Sequence, residues 1–95
     1  MILSTEAFRA CLKLATPNEE RVDAIVRAVS EATGISRIAI YSQSRRREIA
    51  HARQIVMHEA HKQGLAVNLI ARSLNRDRAT ILHGIRAEEK RRAAL

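Results

Sequence analysis

Aromatic residues are nearly absent from this chain of 95 residues, which has one Tyr, one Phe and no Trp. A hydrophobic core must therefore be built from Leu, Ile, Val and Ala, and such a core suits packed helices. The same scarcity argues against a single-strand binder that stacks bases on aromatic rings. Because 46% of the residues are hydrophobic, the chain is globular rather than disordered. No convincing strand pattern occurs, so the sequence predicts an all-α fold in the form of a compact helical bundle.

Cysteine is also scarce, and long apolar runs are missing. The single Cys11 excludes an internal disulfide, which indicates a reducing compartment. No apolar run approaches the roughly 20 residues that a membrane span requires, and no signal peptide opens the sequence. We therefore expect a cytoplasmic protein without membrane contact, associated with the nucleoid if it binds DNA.

Acidic residues are too few to balance the basic ones in the second half of the chain only. Residues 1–41 hold five basic and five acidic side chains, whereas residues 42–95 hold twelve basic and five acidic ones, so the whole net charge of +7 falls in the second half. A basic excess confined to one region is typical of a protein with a polyanionic partner. The alternative on charge alone is a solvated surface that only confers solubility.

Three glycines and one proline punctuate the sequence, and of these Pro17 and Gly34 divide the first half into helical segments. We expect a helix over 4–15, which Ser4 begins and Pro17 stops, with Phe8 and Cys11 on its apolar stripe. Asn18 is predicted to cap a second helix that ends at Gly34. Its apolar stripe has helical spacing and comprises Val22, Ile25, Val26 and Val29. A short helical turn with Ile35, Ile38 and Ile40 should follow.

The second half predicts a helix-turn-helix after a basic loop over 42–47. A long helix over 46–63 should bury Ile49, Ala52, Val56 and Ala60 and end at Gly64. Three elements follow with the order and lengths of that motif. They are a short helix carrying Leu65, Leu69, Ile70 and Leu74, a tight turn at Asn75-Arg76, and a last helix capped by Asp77. We therefore divide the chain into an N-terminal helix over 1–17 and a helix-turn-helix domain over 18–95, within a single globular unit.

Several side chains are candidates for contact with duplex DNA. The leading turns of the last helix would enter the major groove with Arg78, Ala79, Thr80 and His83, while Asp77 either caps that helix or accepts from a cytosine. An arginine-rich, flexible loop can enter a minor groove, because that groove has a strongly negative potential. The remaining candidates for DNA contact are basic or polar residues of the loop, the long helix and the turn: Arg45, Arg46, Arg47, Arg53, Gln54, Lys62 and Arg76.

The stretch SQSRRREIAHARQ over 42–54 and the segment IVMHEAHKQGLAVNLIARSLNRDRATILHGI that follows it resemble the C-terminal DNA-binding domain of the DnaA family. After its first glycine, the family signature G-R-D-H-T-T-V-L-H-A corresponds here to the residues from Arg76 to Gly84, and the resemblance covers about residues 20–92. It implies that Arg45 lies in the minor groove and that Arg53 and Gln54 contact the DNA backbone. It also implies that residues 77–80, after Arg76, meet bases or nearby phosphates.

The chain departs from the family pattern at two positions that face bases. Arg78 replaces the family's His, and Ala79 replaces its first Thr, so we expect a different base preference, with guanine favoured by Arg78. Asn75 stands where the family has Gly and tolerates the left-handed turn. The sequence also contains no phosphate-binding glycine loop of the kind that an ATPase needs.

Our first hypothesis is a sequence-specific regulator of transcription from a bacterium or a bacteriophage, with double-stranded DNA as its partner. The alternatives are a replication-control factor at initiator-type sites and an adaptor that binds transcription or replication proteins. No enzymatic activity and no cofactor are expected. No metal site is expected either, because His58 and His61 lack a third ligand. The N-terminal helix either completes the core or pairs with a second copy in a homodimer.

Overall fold

The computed structural model describes residues 17–95, and within that range it is built of α-helices joined by short loops. The predicted helix over 4–15 lies outside the described residues. Helix boundaries follow in chain order: α1 is Pro17–Thr33, α2 is Arg37–Tyr41, α3 is Arg47–Lys62, α4 is Val67–Leu74 and α5 is Arg78–Ala93. The all-α prediction is confirmed. No helix in this part of the chain is long and apolar enough to cross a membrane.

The core is aliphatic, as the lack of aromatics requires. Helix α3 packs against α1, α2 and α5, and α4 packs against α1 and α5. Full burial of one such side chain stabilises the fold by about 1.5–3 kcal/mol. The buried core consists of residues from all five helices and of Leu65 in the connection between α3 and α4: Val22, Ile25, Val26, Val29, Ile40, Ala52, Val56, Met57, Ala60, Leu65, Leu69, Ile70, Ala71, Leu74, Ile81 and Ile85.

Two sequence-based predictions about these helices are wrong. Asn18 is already inside α1 and is therefore not its N-cap; its acidic neighbours Glu19 and Glu20 lie in the first turn. Ile49, in the first turn of α3, is only half-buried rather than part of the core. The predicted left-handed glycine after α1 is confirmed, since Gly34 has a φ of 77°.

The short helix α2 is fastened at both ends. Ser36 caps its start by accepting a hydrogen bond from the amide of Ala39 at 3.1 Å. The Tyr41 hydroxyl at its end donates to Asp23 of α1 at 2.8 Å. Burial, together with the hydrogen bond to Asp23 and the charge of that carboxylate, raises the pKa of Tyr41. These contacts fix the point from which the basic loop departs.

Close approach of α5 to α3 is set by a glycine inside a helix. Gly84 is buried, and a methyl group added there would collide with Met57 Sδ and press on Gln54. The absence of a side chain lets the two backbones lie close together. This contact determines how α5, the second helix of the helix-turn-helix, is presented.

The turn between α4 and α5 requires a left-handed residue. Asn75 has φ 53° and ψ 49°, and the amide of Arg76 donates to the carbonyl of Ala71 at 2.9 Å, which closes α4. Asn adopts this conformation more readily than other residues with a side chain. The predicted tight turn at this position is confirmed.

We expect Asn75→Ala to lower the free energy of unfolding by about 1 kcal/mol, because alanine is strained in the left-handed region. The free energy of unfolding of Asn75→Gly should equal or exceed that of the parent protein. Urea denaturation followed by circular dichroism gives both values. Asn18→Ala, an exposed asparagine in a right-handed helix, is the control and should change little. Equal stability of the Ala and Gly variants at position 75 would contradict the assignment.

Candidate nucleic-acid interface

The leading turn of α5 is presented to solvent. Asp77 caps the helix by accepting a hydrogen bond from the amide of Thr80 at 2.8 Å. Hydrogen bonds from the Thr80 side chain and backbone lower the pKa of Asp77. Of the two roles that the sequence left open for Asp77, the geometry shows the cap. Arg78, Ala79, Thr80 and His83 are exposed around it, whereas Ile81 and Ile85 face the core.

Arg78 is held by the first helix of the motif. Its Nη1 donates to Oδ1 of Asn68 in α4 at 2.9 Å, and the side chain is otherwise exposed. One edge of the guanidinium is thus anchored, and its remaining N–H groups point to solvent. Asn68 was not singled out from the sequence, because its effect depends on the packing of α4 beside the start of α5.

The basic loop is ordered by a buried arginine. The guanidinium of Arg53 donates from Nε to the carbonyl of Ile40 at 2.9 Å and from Nη1 to that of Ser44 at 3.1 Å. Its Nη2 donates to the carbonyls of Ser42 at 2.8 Å and Ala39 at 3.4 Å. Burial, and secondarily the charge of Arg76, lowers the pKa of Arg53.

Arg53 therefore does not contact phosphates as the sequence and the resemblance predicted. Its side chain is 4% exposed, and its donors are engaged by backbone carbonyls. Further hydrogen bonds connect residues within the loop. Ser42 Oγ donates to the carbonyl of Ala39 and accepts from the amide of Ser44, whose own Oγ accepts from the amide of Arg46.

Arg76 is turned inward as well. Its Nη2 donates to the carbonyl of Ser42 at 2.8 Å, the same oxygen that Arg53 binds. Its Nε is buried, and the side chain as a whole is half-buried. This residue, predicted among the DNA contacts, joins the turn of the helix-turn-helix to the basic loop.

The loop and α5 meet at one cleft. A cleft of about 180 Å³ is lined by Arg45 from the loop, by Thr80 and His83 from α5, and by Arg53 and Arg76 beneath them. The structure thus brings Arg45 next to the exposed leading turns of α5. Arg46 and Arg47 are exposed at the start of α3, and Arg47 lines a neighbouring hollow with Arg45.

Gln54 and Lys62 have different surroundings from those expected. The side-chain oxygen of Gln54 accepts two hydrogen bonds from Arg91 of α5, one of them at 3.1 Å. Lys62 is exposed in the last turn of α3, about 22 Å along that helix from Arg47. It adjoins Gln63, which binds Arg21 of α1. The structure does not bring Lys62 to the cleft that Arg45 lines.

The far end of α5 is anchored by a buried carboxylate. Glu88 is 5% exposed and pairs with Arg92 at 2.9 Å, with Arg91 at 3.4 Å and with His51 of α3 at 3.4 Å. Burial alone would raise the pKa of Glu88. The hydrogen bond from Arg92 and the charges of Arg91, Arg92 and His51 outweigh it and lower that pKa. Sequence analysis missed this cluster, because Glu88 reads there as part of a solvated charged run.

Residues that could hold a metal ion do not gather in the described part of the chain. No group of three His, Cys, Asp or Glu side chains lies within metal-binding reach between residues 17 and 95. His58 is half-buried, and His61 is exposed. The candidate binding side chains are instead grouped on the basic surface around Arg45 and the start of α5.

A short helix, a three-residue turn and a longer helix with an exposed, N-capped leading turn define a helix-turn-helix DNA-binding domain. The family model for the helix-turn-helix of the bacterial DnaA protein matches residues 22–87. The chain belongs to this family.

One relative extends the match to nearly the whole chain. The chromosomal replication initiator protein DnaA of Lachnoclostridium phytofermentans is 36% identical over 92 residues, which cover 95% of this chain and 20% of that protein. The chain therefore spans about a fifth of the length of this curated relative. No solved structure matches the chain.

We expect Arg53→Ala to lower the free energy of unfolding by about 3 kcal/mol, because it leaves buried carbonyls without donors. Arg53→Lys should retain little of that stability, since an ammonium cannot span the same set of acceptors. Urea denaturation measures both effects. Arg47→Ala, which removes an exposed arginine six residues earlier, is the matched control and should leave stability nearly unchanged. A similar small effect at both positions would refute the role of Arg53.

Proposed function

We propose that this chain is a sequence-specific regulator that binds duplex DNA through two grooves at once. The leading turns of α5 enter the major groove, and Arg45 enters the adjacent minor groove. The observation that carries the proposal is the shared cleft, in which Arg45 lies beside Thr80 and His83. A B-DNA major groove about 12 Å wide accepts one α-helix of similar diameter.

Base reading is assigned to the exposed side chains of α5. Arg78 keeps N–H groups available beside the one that Asn68 holds, and two of them can bind guanine O6 and N7. Ala79 and the methyl group of Thr80 can contact a thymine methyl, and His83 lies one turn further along the same exposed side. Asp77 contributes by capping the helix that presents these residues.

Phosphate contacts are assigned to the arginines with exposed guanidinium groups. Arg46 and Arg47 flank the start of α3 next to Arg45, and Arg45 and Arg47 line one hollow. Gln54 can use its amide N–H groups while its oxygen binds Arg91. Arg53 and Arg76 act indirectly by holding the loop backbone, and Lys62 is left out of the contact set because it lies away from the cleft.

The role that fits this mode of binding is control of transcription in a bacterium or a bacteriophage, through occupation of a defined site. Replication control at initiator-type sites is the second candidate, and it is favoured by the similarity to a protein named as a chromosomal replication initiator. Selection of bound duplexes from a random pool distinguishes the two. Enrichment of a DnaA box favours replication control, and enrichment of an unrelated site favours transcription control.

Replacement of Arg78 by Ala should weaken binding to the selected duplex by about 5- to 150-fold and relax preference at one base pair. Fluorescence anisotropy with the selected duplex and its single-base variants measures this loss. Arg27→Ala removes an exposed arginine of α1 that pairs with Asp23. This control variant loses the same positive charge as Arg78→Ala, and it should keep the preference at that base pair.

The Asn68→Ala change tests how Arg78 is oriented. This variant should lose discrimination at the same base pair, and the loss should vanish in the Arg78→Ala background, because Asn68 acts through Arg78. A preference profile that Arg78→Ala leaves unaltered would overturn the base-reading role.

Binding should also depend steeply on salt. If about six phosphates are neutralised, the logarithm of the association constant should fall with the logarithm of the salt concentration at a slope near −5. Arg45→Ala should reduce the magnitude of that slope by about 1 and weaken binding to all duplexes. Anisotropy titrations at several salt concentrations give the slopes, with Arg27→Ala again as the control. An unchanged slope for Arg45→Ala would remove Arg45 from the interface.

A further inference from the structure

The hollow that Arg45 and Arg47 line extends from the start of α3 to the last turns of α5. It measures about 480 Å³ and adjoins the cleft beside Thr80 and His83, since Arg45 lines both spaces. Among the described residues, no acidic side chain lines the hollow. The residues that line it are Arg45, Arg47, Ala50, His51, Gln54 and Arg91. Several cationic donors around one space suit a small anionic group.

Arg91 is held in this hollow with one edge of its guanidinium available. Its Nη1 and Nη2 both donate to Oε1 of Gln54, the former at 3.1 Å, and Nη1 also lies 3.4 Å from Oε1 of Glu88. Within residues 17–95 no acceptor engages Nε, so the edge formed by Nε and the outer N–H of Nη2 is available. Two parallel donors on one edge can bind two oxygens of one phosphate.

His51 faces a carboxylate oxygen that lacks a hydrogen bond. Its Nε2 lies 3.4 Å from Oε1 of Glu88, a buried atom without a hydrogen-bond partner among residues 17–95. Both ring nitrogens donate when the imidazole is protonated, so Nε2 can satisfy this oxygen while the other nitrogen donates to an anion. The charged groups around His51 are Glu88, Arg91 and Arg92 at the end of α5, Arg45 of the loop, and Arg47 and Glu48 one turn earlier in α3.

We propose that this hollow binds one backbone phosphate of duplex DNA through Arg47, Arg91 and protonated His51. The inference rests on the proposed function, in which Arg45 enters a minor groove. A minor groove is about 6 Å wide, so a sugar-phosphate strand passes within a few ångströms of an arginine inside it. Because Arg45 lines both the cleft and the hollow, that strand would run along the hollow. A phosphate contact fixes the orientation of the protein on DNA without reading sequence.

Binding of a phosphate in this hollow also takes up a proton. The negative charge of the phosphate favours the protonated form of His51, and Oε1 of Glu88 then gains the hydrogen bond that it lacks. The affinity for DNA therefore rises as the pH falls through the range in which histidine titrates. A tenfold higher proton affinity of His51 in the complex tightens binding about fivefold between about pH 8 and about pH 6.

Anisotropy titrations of the full chain with the selected duplex and a scrambled duplex test the phosphate contact. Arg91→Ala should weaken binding to both duplexes alike and reduce the magnitude of the salt slope by about 1. Arg27→Ala is the matched control, because Arg27 also pairs with a carboxylate one turn earlier on its helix but lies outside the hollow. An unchanged slope for Arg91→Ala overturns this proposal and leaves the proposed function standing. A parent chain that binds no duplex overturns both.

The same titrations at about pH 6, 7 and 8 test the proton uptake. His51→Gln should abolish the tightening at low pH, because glutamine takes up no proton. His61→Gln, at the exposed end of α3, is the matched control and should retain it. His83→Gln is measured in parallel, because His83 lies in the adjoining cleft. Circular dichroism verifies that each variant is folded at each pH. A pH dependence that is absent from the parent, or that persists in His51→Gln, refutes the role of His51.

Discussion

One buried guanidinium holds together the surface that we propose to bind DNA. Arg53 binds the carbonyls of Ala39, Ile40, Ser42 and Ser44, so a single side chain of α3 fixes the end of α2 and the first residues of the basic loop. A buried charge is costly unless its donors are satisfied, and these carbonyls supply the acceptors. Without this contact the loop backbone would lose its position relative to α3, and Arg45 would lose its defined place beside α5.

The second constraint couples this loop to the helix-turn-helix. Arg76 in the turn binds the same Ser42 carbonyl as Arg53, which brings two positive charges close together. Repulsion between the two charges opposes folding. Hydrogen bonds to the shared Ser42 oxygen and to the other carbonyls that Arg53 binds favour folding. An anionic partner near the cleft would reduce that repulsion. The arrangement that orders the loop is therefore also one that a phosphate backbone would stabilise.

Periodicity and capping predicted most of the architecture. The lengths of α3, α4 and α5, the left-handed Asn75 and the cap at Asp77 all follow from local signals, because each depends on residues within a few positions of one another. The role of Arg53 could not be predicted this way, since its acceptors lie nine to fourteen residues away and belong to the backbone, which every residue shares. Glu88 is a similar case, because one of its partners, His51, belongs to another helix and lies 37 residues away in the sequence. Asn18 was predicted as a cap from residue type alone, and the helix begins before it.

A basic sequence does not specify which of its arginines are available to a polyanion; the hydrogen bonds of the folded chain do. Arg53 uses Nε, Nη1 and Nη2 on carbonyls, Arg76 uses Nη2 on the Ser42 carbonyl while its Nε is buried, and Arg92 uses Nε on Glu88. Arg78 uses one N–H on Asn68 and keeps the rest exposed. Specific recognition requires donors that are both available and fixed in direction, because a mobile charge attracts every phosphate equally. Arg78 meets both conditions through a single neutral partner, which orients its guanidinium without cancelling its charge.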